Sequence, residues 1–309
     1  MHWVTCDLMI PVVILGEKDH GKSTLIGRLI YETKSMPKDR LAETAKTAKR
    51  LGKRFEWAHL LDSFRYERKN EMTLDTTRAI VKLGKTLYEF IDVPGHKELI
   101  KNMLTGASDA RFAVTVIDIS EGITPQTLRH MEIAEFLGIE KIMVAVNKID
   151  KVHFSKKAYY KAIQIFSRIL SKYRRDKMIF IPVSTFTGNN LIKKNSKLKW
   201  FKGPTLSKTI EKNFQSNSRP KNKTRALRKP AKNFESSCIF IEKPGRRIVL
   251  ESGVNSYPIS TLTGFDKMNN IQKIKIKLKS PAYLENKFVI KAGGKIVGVC
   301  NFTPPDKRP

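Results

Sequence analysis

The feature that most constrains this chain is an alternation. Between residue 10 and about residue 212, five short apolar runs are separated by segments of helical spacing. The runs are IPVVIL at 10–15, LYEFI at 87–91, FAVTVID at 112–118, KIMVAV at 141–146 and MIFIPVS at 178–184. KSTLIGRLIYE follows the first run and TLRHMEIAEFLG precedes the fourth. KAYYKAIQIFSRILSKY at 157–173 also places apolar residues at i, i+3 and i+4. Strands alternating with helices predict an α/β fold, a mostly parallel sheet covered on both faces. The near-continuous apolar runs agree, because inner parallel strands are buried on both sides. No run of about 18 apolar residues exists, so neither a transmembrane helix nor a membrane partner is predicted. The opening MHWVTCDLMI holds Asp7 inside its apolar stretch and lacks a basic lead, which argues against a signal peptide.

Beyond residue 212 the character changes. Residues 213–235 read as a basic linker, centred on the polar, Pro-containing SNSRPKNKTRALRKPAKN at 216–233. Residues 236–309 read as a small antiparallel β module built from CIFIE, RRIVLE, IQKIKIKLK, KFVIK and KIVGVC. IQKIKIKLK alternates apolar residues with Lys, as a half-buried strand does, and Gly293-Gly294 marks a hairpin. The charge is uneven: residues 191–309 carry 27 Lys and Arg against 7 Asp and Glu, which supplies +20 of the chain's +30. Such a charge balance favours polyanions: RNA, DNA or acidic membrane surfaces. The three cysteines, Cys6, Cys238 and Cys300, are widely spaced and odd in number, so free thiols in a reducing cytoplasm are expected.

Within the first region, Gly16-Glu17-Lys18-Asp19-His20-Gly21-Lys22-Ser23 fits Gly-x4-Gly-Lys-Ser/Thr, between a predicted strand and a predicted helix. There, successive backbone N–H groups can curl round phosphates, and the helix N-terminus favours negative charge. A nucleotide site is predicted on Gly16, Asp19, His20, Gly21, Lys22, Ser23 and Thr24. Lys22 neutralises the β- and γ-phosphates and Ser23 ligates Mg²⁺ in this reading. Asn147-Lys148-Ile149-Asp150 follows another strand. A carboxylate there can accept from both N1–H and the 2-amino group of guanine, a pair adenine lacks. Asn147 braces the loops and the stem of Lys148 covers the base. In Asp92-Val93-Pro94-Gly95-His96, Asp92 is a second Mg²⁺ residue, Gly95 senses a γ-phosphate, and His96 projects towards the attacking water. Thr73, in a charged stretch, is the third candidate for Mg²⁺.

These motifs, in this order, resemble the translation-factor superfamily of GTPases, the group of elongation factor Tu and elongation factor 1-alpha. The stretches that carry the resemblance include KDHGKSTLIGRLIYE, DVPGHKELIKNMLTGASDA, EGITPQTLRHMEIAEFLGIEKIMVAVNKID and VSTFTGNNL, within about residues 10–212. WFKGPTLSKTIE at 200–211 and the long insert at 35–66 are more similar to elongation factor 1-alpha and to the GTPase subunit of sulfate adenylyltransferase. The resemblance implies a P-loop G domain over residues 1–212 that binds GTP and GDP with Mg²⁺ and hydrolyses GTP to GDP and phosphate. It implies that His96 orients the hydrolytic water, that Lys22 stabilises developing charge, and that Thr73 closes on Mg²⁺. The guanine-contacting Ser-Ala pair of the family falls on Ser184-Thr185. Where the family has Gly-Ile-Thr this chain has Glu71-Met72-Thr73, and Thr185 stands in place of Ala. The family also carries two β-barrels after its G domain, whereas about 97 residues follow position 212 here, and KSPAYLENKFVIKAGGKIVGVC at 279–300 resembles the end of the last barrel. Three functions follow as expectations: a GTPase acting in translation on the ribosome or RNA, the GTPase subunit of an adenylyltransferase complex with a partner chain, or a nucleotide-regulated RNA-binding module with little turnover.

Overall fold

The computed structural model describes residues 9–36, isolated positions between 39 and 60, and residues 77–93, 110–173, 178–215, 230–245, 247–252, 255–285 and 287–301. These fall into two compact units, one running to Gln215 and one starting at Pro230.

The first unit is built on six strands: β1 (Ile10–Gly16), β2 (Thr77–Leu83), β3 (Thr86–Asp92), β4 (Phe112–Asp118), β5 (Lys141–Asn147) and β6 (Ile179–Pro182). Their order in the sheet is β2-β3-β1-β4-β5-β6. All neighbours are parallel except the β2–β3 hairpin. Each of the five apolar runs is a strand. The edge strand β2 was not foreseen, because TRAIVKL is short, half polar, and buries only alternate residues. Helices described along their whole length are α1 (Lys22–Glu32), α2 (Pro125–Phe136), α3 (Lys156–Leu170) and α4 (Leu206–Asn213). Leu25, Ile26, Leu29 and Ile30 of α1 are fully buried and share one core with Val12 and Ile14 of β1 and Phe90 of β3. The starts of α2, α3 and α4 are fixed by Thr124, Ser155 and Thr205, whose hydroxyls accept from backbone amides of the first turn. The chain steps from β1 to β3 on one side and to β4 on the other. The carboxyl end of β1 is therefore the switch point where open α/β sheets hold ligands.

The second unit is a closed antiparallel barrel of β7 (Ala231–Phe240), β8 (Ile248–Ser252), β9 (Asn255–Thr263), β10 (Ile271–Ala282), β11 (Lys287–Ala292) and β12 (Lys295–Asn301). The order round it is β10-β7-β12-β11-β8-β9. Gly293 and Gly294, both at positive φ, form the β11–β12 turn. Two sequence expectations are corrected. Residues 231–235, read as linker, are strand, because Phe234 turns inward and meets Phe288 edge-on at 5.8 Å. Cys238 and Cys300, read as free thiols, form a disulfide. They lie opposite each other on β7 and β12, both fully buried, and a sequence separation of 62 hides that adjacency from the sequence. Cys6 lies outside the described residues. Among the described residues no helix is long and apolar enough to cross a membrane.

Candidate functional site

The loop from Gly16 to Ser23 joins β1 to α1 at the switch point. Gly16 has φ of 135° and Gly21, the residue before α1, has φ of 97°. A Cβ on Gly16 would overlap the Val116 carbonyl of β4, and one on Gly21 would overlap the Asn147 side chain. Both positions therefore need glycine, for φ and for space. Lys22 opens α1 and curls back, its Nζ donating to Gly16 O at 3.1 Å and Glu17 O at 2.9 Å. Burial pushes its ammonium below the ordinary lysine value, and the charges of Asp92, Glu17 and Asp19 partly offset this. Ser23 Oγ donates to Asp92 Oδ2 at 2.8 Å, so that hydroxyl and carboxylate come within reach of one small cation. Thr24 is half-buried in the same turn, and Asp19 is exposed with φ of 64°.

Three further strand ends converge on this loop. Asn147 closes β5, and its Nδ2 donates to His20 O at 2.8 Å and to Thr185 Oγ1 at 3.1 Å. Its Oδ1 accepts from Thr185 N at 3.0 Å. One buried amide thus links the loops after β1, β5 and β6. Ser184, also buried, caps its own turn by accepting from Thr187 N. Asp150 Oδ1 is shielded from solvent and receives no hydrogen bond from the protein. A buried carboxylate oxygen without a donor costs free energy unless a ligand supplies one. Lys148, at φ of 57°, turns its Nζ to Asp118 Oδ2 at 2.8 Å.

Asp118 was not foreseen as part of the site. It ends β4, in register with Asn147, is fully buried, and also takes Lys151 at 3.2 Å and the Ser120 amide at 2.8 Å. Desolvation works to raise its carboxyl, but Lys148, Ser120 and Lys151 outweigh that and hold it well below the usual carboxylate range. Glu17, Glu121 and Thr124 were also missed. Glu121 Oε2 lies 3.1 Å from Nε2 of the fully buried His20, and Thr124 donates to Glu17 at 2.9 Å. The EGIT stretch after β4 was the available signal for the last two. Asp118→Ala leaves Lys148 and Lys151 without their shared acceptor. Breaking a buried pair costs about 3–5 kcal/mol. Lys148 keeps a quarter of its side-chain surface in water, so about 2 kcal/mol is expected here. Urea unfolding checks this; a midpoint equal to the parent's would show that the pair is not structural. Thr73, Gly95 and His96 lie outside the described residues.

Comparisons with known proteins show the family and the fold. Residues 7–220 match the family described as "Elongation factor Tu GTP binding domain". Elongation factor 1-alpha of Archaeoglobus fulgidus is 42% identical over 205 residues, 65% of this chain and 48% of that protein. The Methanocaldococcus jannaschii protein is 38% identical over 221 residues, 69% of this chain and 51% of its own length. The chain thus spans about half the length of the curated relatives it matches. Among solved structures, the S. cerevisiae Ski7 GTPase-like domain, bound to GDP and inorganic phosphate or to GTP, aligns with a TM-score of 0.59 and 14% identity. The alignment covers 95% of this chain and 97% of that one, a likeness of fold. By its motifs, its sheet and the match over residues 7–220, this chain belongs to the elongation factor Tu GTP-binding domain family of translation-factor GTPases.

Proposed function

We propose that this chain is a GTP-binding and GTP-hydrolysing switch of the elongation-factor type, acting in the cytoplasm on the ribosome or its RNA. One observation carries the reading most: a buried Asp150 oxygen awaits a donor, beside loops that Asn147 ties to the glycine loop. Guanine supplies two donors on one edge, and a site built around them rejects adenine. Ser23 and Asp92 fit Mg²⁺, a hard cation that takes oxygen ligands and keeps several waters. Mg²⁺, when bound, neutralises charge on the phosphate oxygens. Lys22 holds its ammonium against two carbonyls of its own loop, so phosphate oxygens would replace the Gly16 and Glu17 carbonyls as its acceptors. Thr73 is assigned as the further Mg²⁺ residue, and His96 as the residue that orients the attacking water. The Cys238–Cys300 disulfide is at odds with a reducing compartment.

The test is binding and turnover with the purified full chain. GDP and GTP bind in preference to ADP and ATP, chelation of Mg²⁺ weakens GTP binding, and phosphate release rises with added ribosomes. No preference for guanine nucleotides would refute the reading. His96→Ala slows phosphate release by about 10²-fold, the scale of a lost general acid–base or positioning group, and leaves GTP affinity within about 3-fold. Normal turnover in that variant would remove His96 from the mechanism.

A further inference from the structure

The turn that carries Ser184 and Thr185 is gripped from outside by an arginine. Arg28 stands within α1, the helix that begins at the glycine loop. Its Nη1 donates to Phe186 O at 3.1 Å and its Nη2 to Thr187 O at 3.2 Å, across sequence separations of 158 and 159. Its Nε donates to Glu32 Oε1 at 2.7 Å, which orients the plane of the guanidinium. Trp57, from the long insert at 35–66, places its ring centroid 4.4 Å from the guanidinium carbon. The indole also donates its own Nε1–H to Phe186 O at 3.3 Å. Two glycines make room for this arrangement. A Cβ on Gly27 would overlap the Trp57 carbonyl, and a Cβ on Gly188 would overlap Arg28 Nη2 and Glu32 Oε1.

Structural needs do not account for these contacts. Phe186 and Thr187 are exposed, where water competes for backbone carbonyls, so satisfying these groups does not require Arg28. The Arg28–Glu32 pair supports α1 only modestly, because the acid follows the base, the weaker order. Glycine weakens a helix interior, and the crossing of Trp57 at Gly27 is the reason to keep it there. What the arginine fixes is position. Its planar fork holds two consecutive carbonyls at once, while the indole face and Glu32 restrain it from swinging away. The inner side of the same turn is tied by Asn147 at Thr185 and by the Ser184 hydroxyl at Thr187 N.

We propose that Arg28, clamped by Trp57, is a positioning residue for the guanine-binding loop, and that the insert thereby sets how long a guanine nucleotide stays bound. This rests on the reading of the chain as a GTP-binding switch, and it names a control at the guanine end of that site. Arg28 acts through Phe186 and Thr187, which directly follow the Ser184-Thr185 pair assigned to guanine. Release of the base requires the loop to shift, and that shift breaks two bonds from a charged donor. Their loss corresponds to about 10- to 100-fold faster release. Contacts of this kind act on departure more than on encounter. Arg28 and Trp57 share Phe186 O as acceptor, so their effects are not additive.

The experiment follows release of a ribose-labelled fluorescent GDP from the purified full chain, chased with excess GDP. Arg28→Ala should speed release by about 10- to 100-fold and leave association within about 3-fold. The ratio of GTP to GDP affinity should stay within about 3-fold, because the phosphate end lies outside these contacts. Arg28→Lys keeps the charge without the fork and should restore less than about a tenth of the lost residence time. Trp57→Phe keeps a ring against the guanidinium and loses only the indole donor, so release about 2- to 5-fold faster is expected. The double variant R28A/W57A should release GDP no more than about 3-fold faster than the faster of its single variants. A role in folding alone has a different signature: a smaller fraction of the chain binds, and the release rate of that fraction is unchanged. That result, or a parent-like release rate in Arg28→Ala, would overturn the proposal. So would a double variant whose effect is the product of the single ones. Arg28→Lys and Trp57→Phe carry the test if Arg28→Ala does not fold. A parent chain that binds no guanine nucleotide would refute the GTP reading and this proposal with it, whereas tight GDP binding with unchanged release in the variants would refute this proposal alone.

Discussion

Asp150→Asn should turn the nucleotide preference from guanosine to xanthosine phosphates. Guanine presents N1–H and its 2-amino group as donors, and a carboxylate accepts both. Asparagine offers one acceptor and one donor, and xanthine carries an oxygen in place of the 2-amino group to meet that donor. Hydrogen bonds to a charged group contribute about 1.5–3 kcal/mol each. The variant keeps only a neutral acceptor for N1–H and sets a donor against the 2-amino group, so GTP affinity falls by roughly 10²- to 10⁴-fold. XTP affinity should rise by a comparable factor relative to the parent. Asp150 Oδ1 receives no hydrogen bond from the protein, so the fold itself has little to lose. Thermal unfolding of the variant should stay within a few degrees of the parent, roughly the shift that 0.5 kcal/mol gives. Competition binding with GDP, XDP and ADP decides the matter. Retained guanine selectivity would show that the orphaned oxygen faces something other than the base.

The contrast between Asp150 and Asp118 shows what the sequence could yield. Asp150 could be proposed from sequence because its tetrapeptide follows an apolar run, and the carboxyl end of a parallel strand is where ligands bind. Asp118 also ends such a run, yet its partners are Lys148 and Lys151, some thirty positions away. Only the β4–β5 register brings them together, and register between parallel strands leaves no local mark. The glycine loop was legible for the opposite reason: its strand, turn and helix are contiguous, so each boundary is set by neighbours. Asn147 lies between these cases. A bracing role could be expected, but its bond to the Thr185 hydroxyl depends on the residue that replaces the family's alanine.

The barrel was harder to foresee. The alternation of IQKIKIKLK gave β10 directly, because period two marks a strand with one wet face. β9 was missed: NSYPISTLT is polar and contains Pro258, which argues against a strand with neighbours on both sides. The structure places Pro258 opposite Val249 of β8, one residue before Ile259, where the register of β9 with β10 ends. The disulfide depended on β7 and β12 becoming neighbours, a fact of closure rather than of composition.

Lys22→Ala should abolish measurable GTP and GDP binding at micromolar nucleotide. Lys22 is 9% exposed as a residue, and its ammonium is held by two carbonyls of its own loop. Desolvation disfavours its charge, and Asp92, Glu17 and Asp19 restore part of it. A phosphate group at about 4 Å gives about 4 kcal/mol at an effective dielectric constant near 20, which corresponds to roughly 10³-fold in affinity. Lys22→Arg tests whether charge alone suffices. The guanidinium fork is too broad to share the space between Gly16 O and Glu17 O, so it should recover less than a tenth of the lost affinity. The depressed value of Lys22 sets a sign for pH. Deprotonation removes the attraction, so parent affinity should fall as pH rises through a value below the ordinary lysine range near 10.4. Lys18, exposed on the same loop, provides the control, and Lys18→Ala should change affinity by less than about 3-fold. Equal losses at Lys18 and Lys22 would mean that the loop attracts nucleotide through diffuse charge. A large loss at Lys22 alone would place the phosphates in the turn that Gly16 and Gly21 make possible.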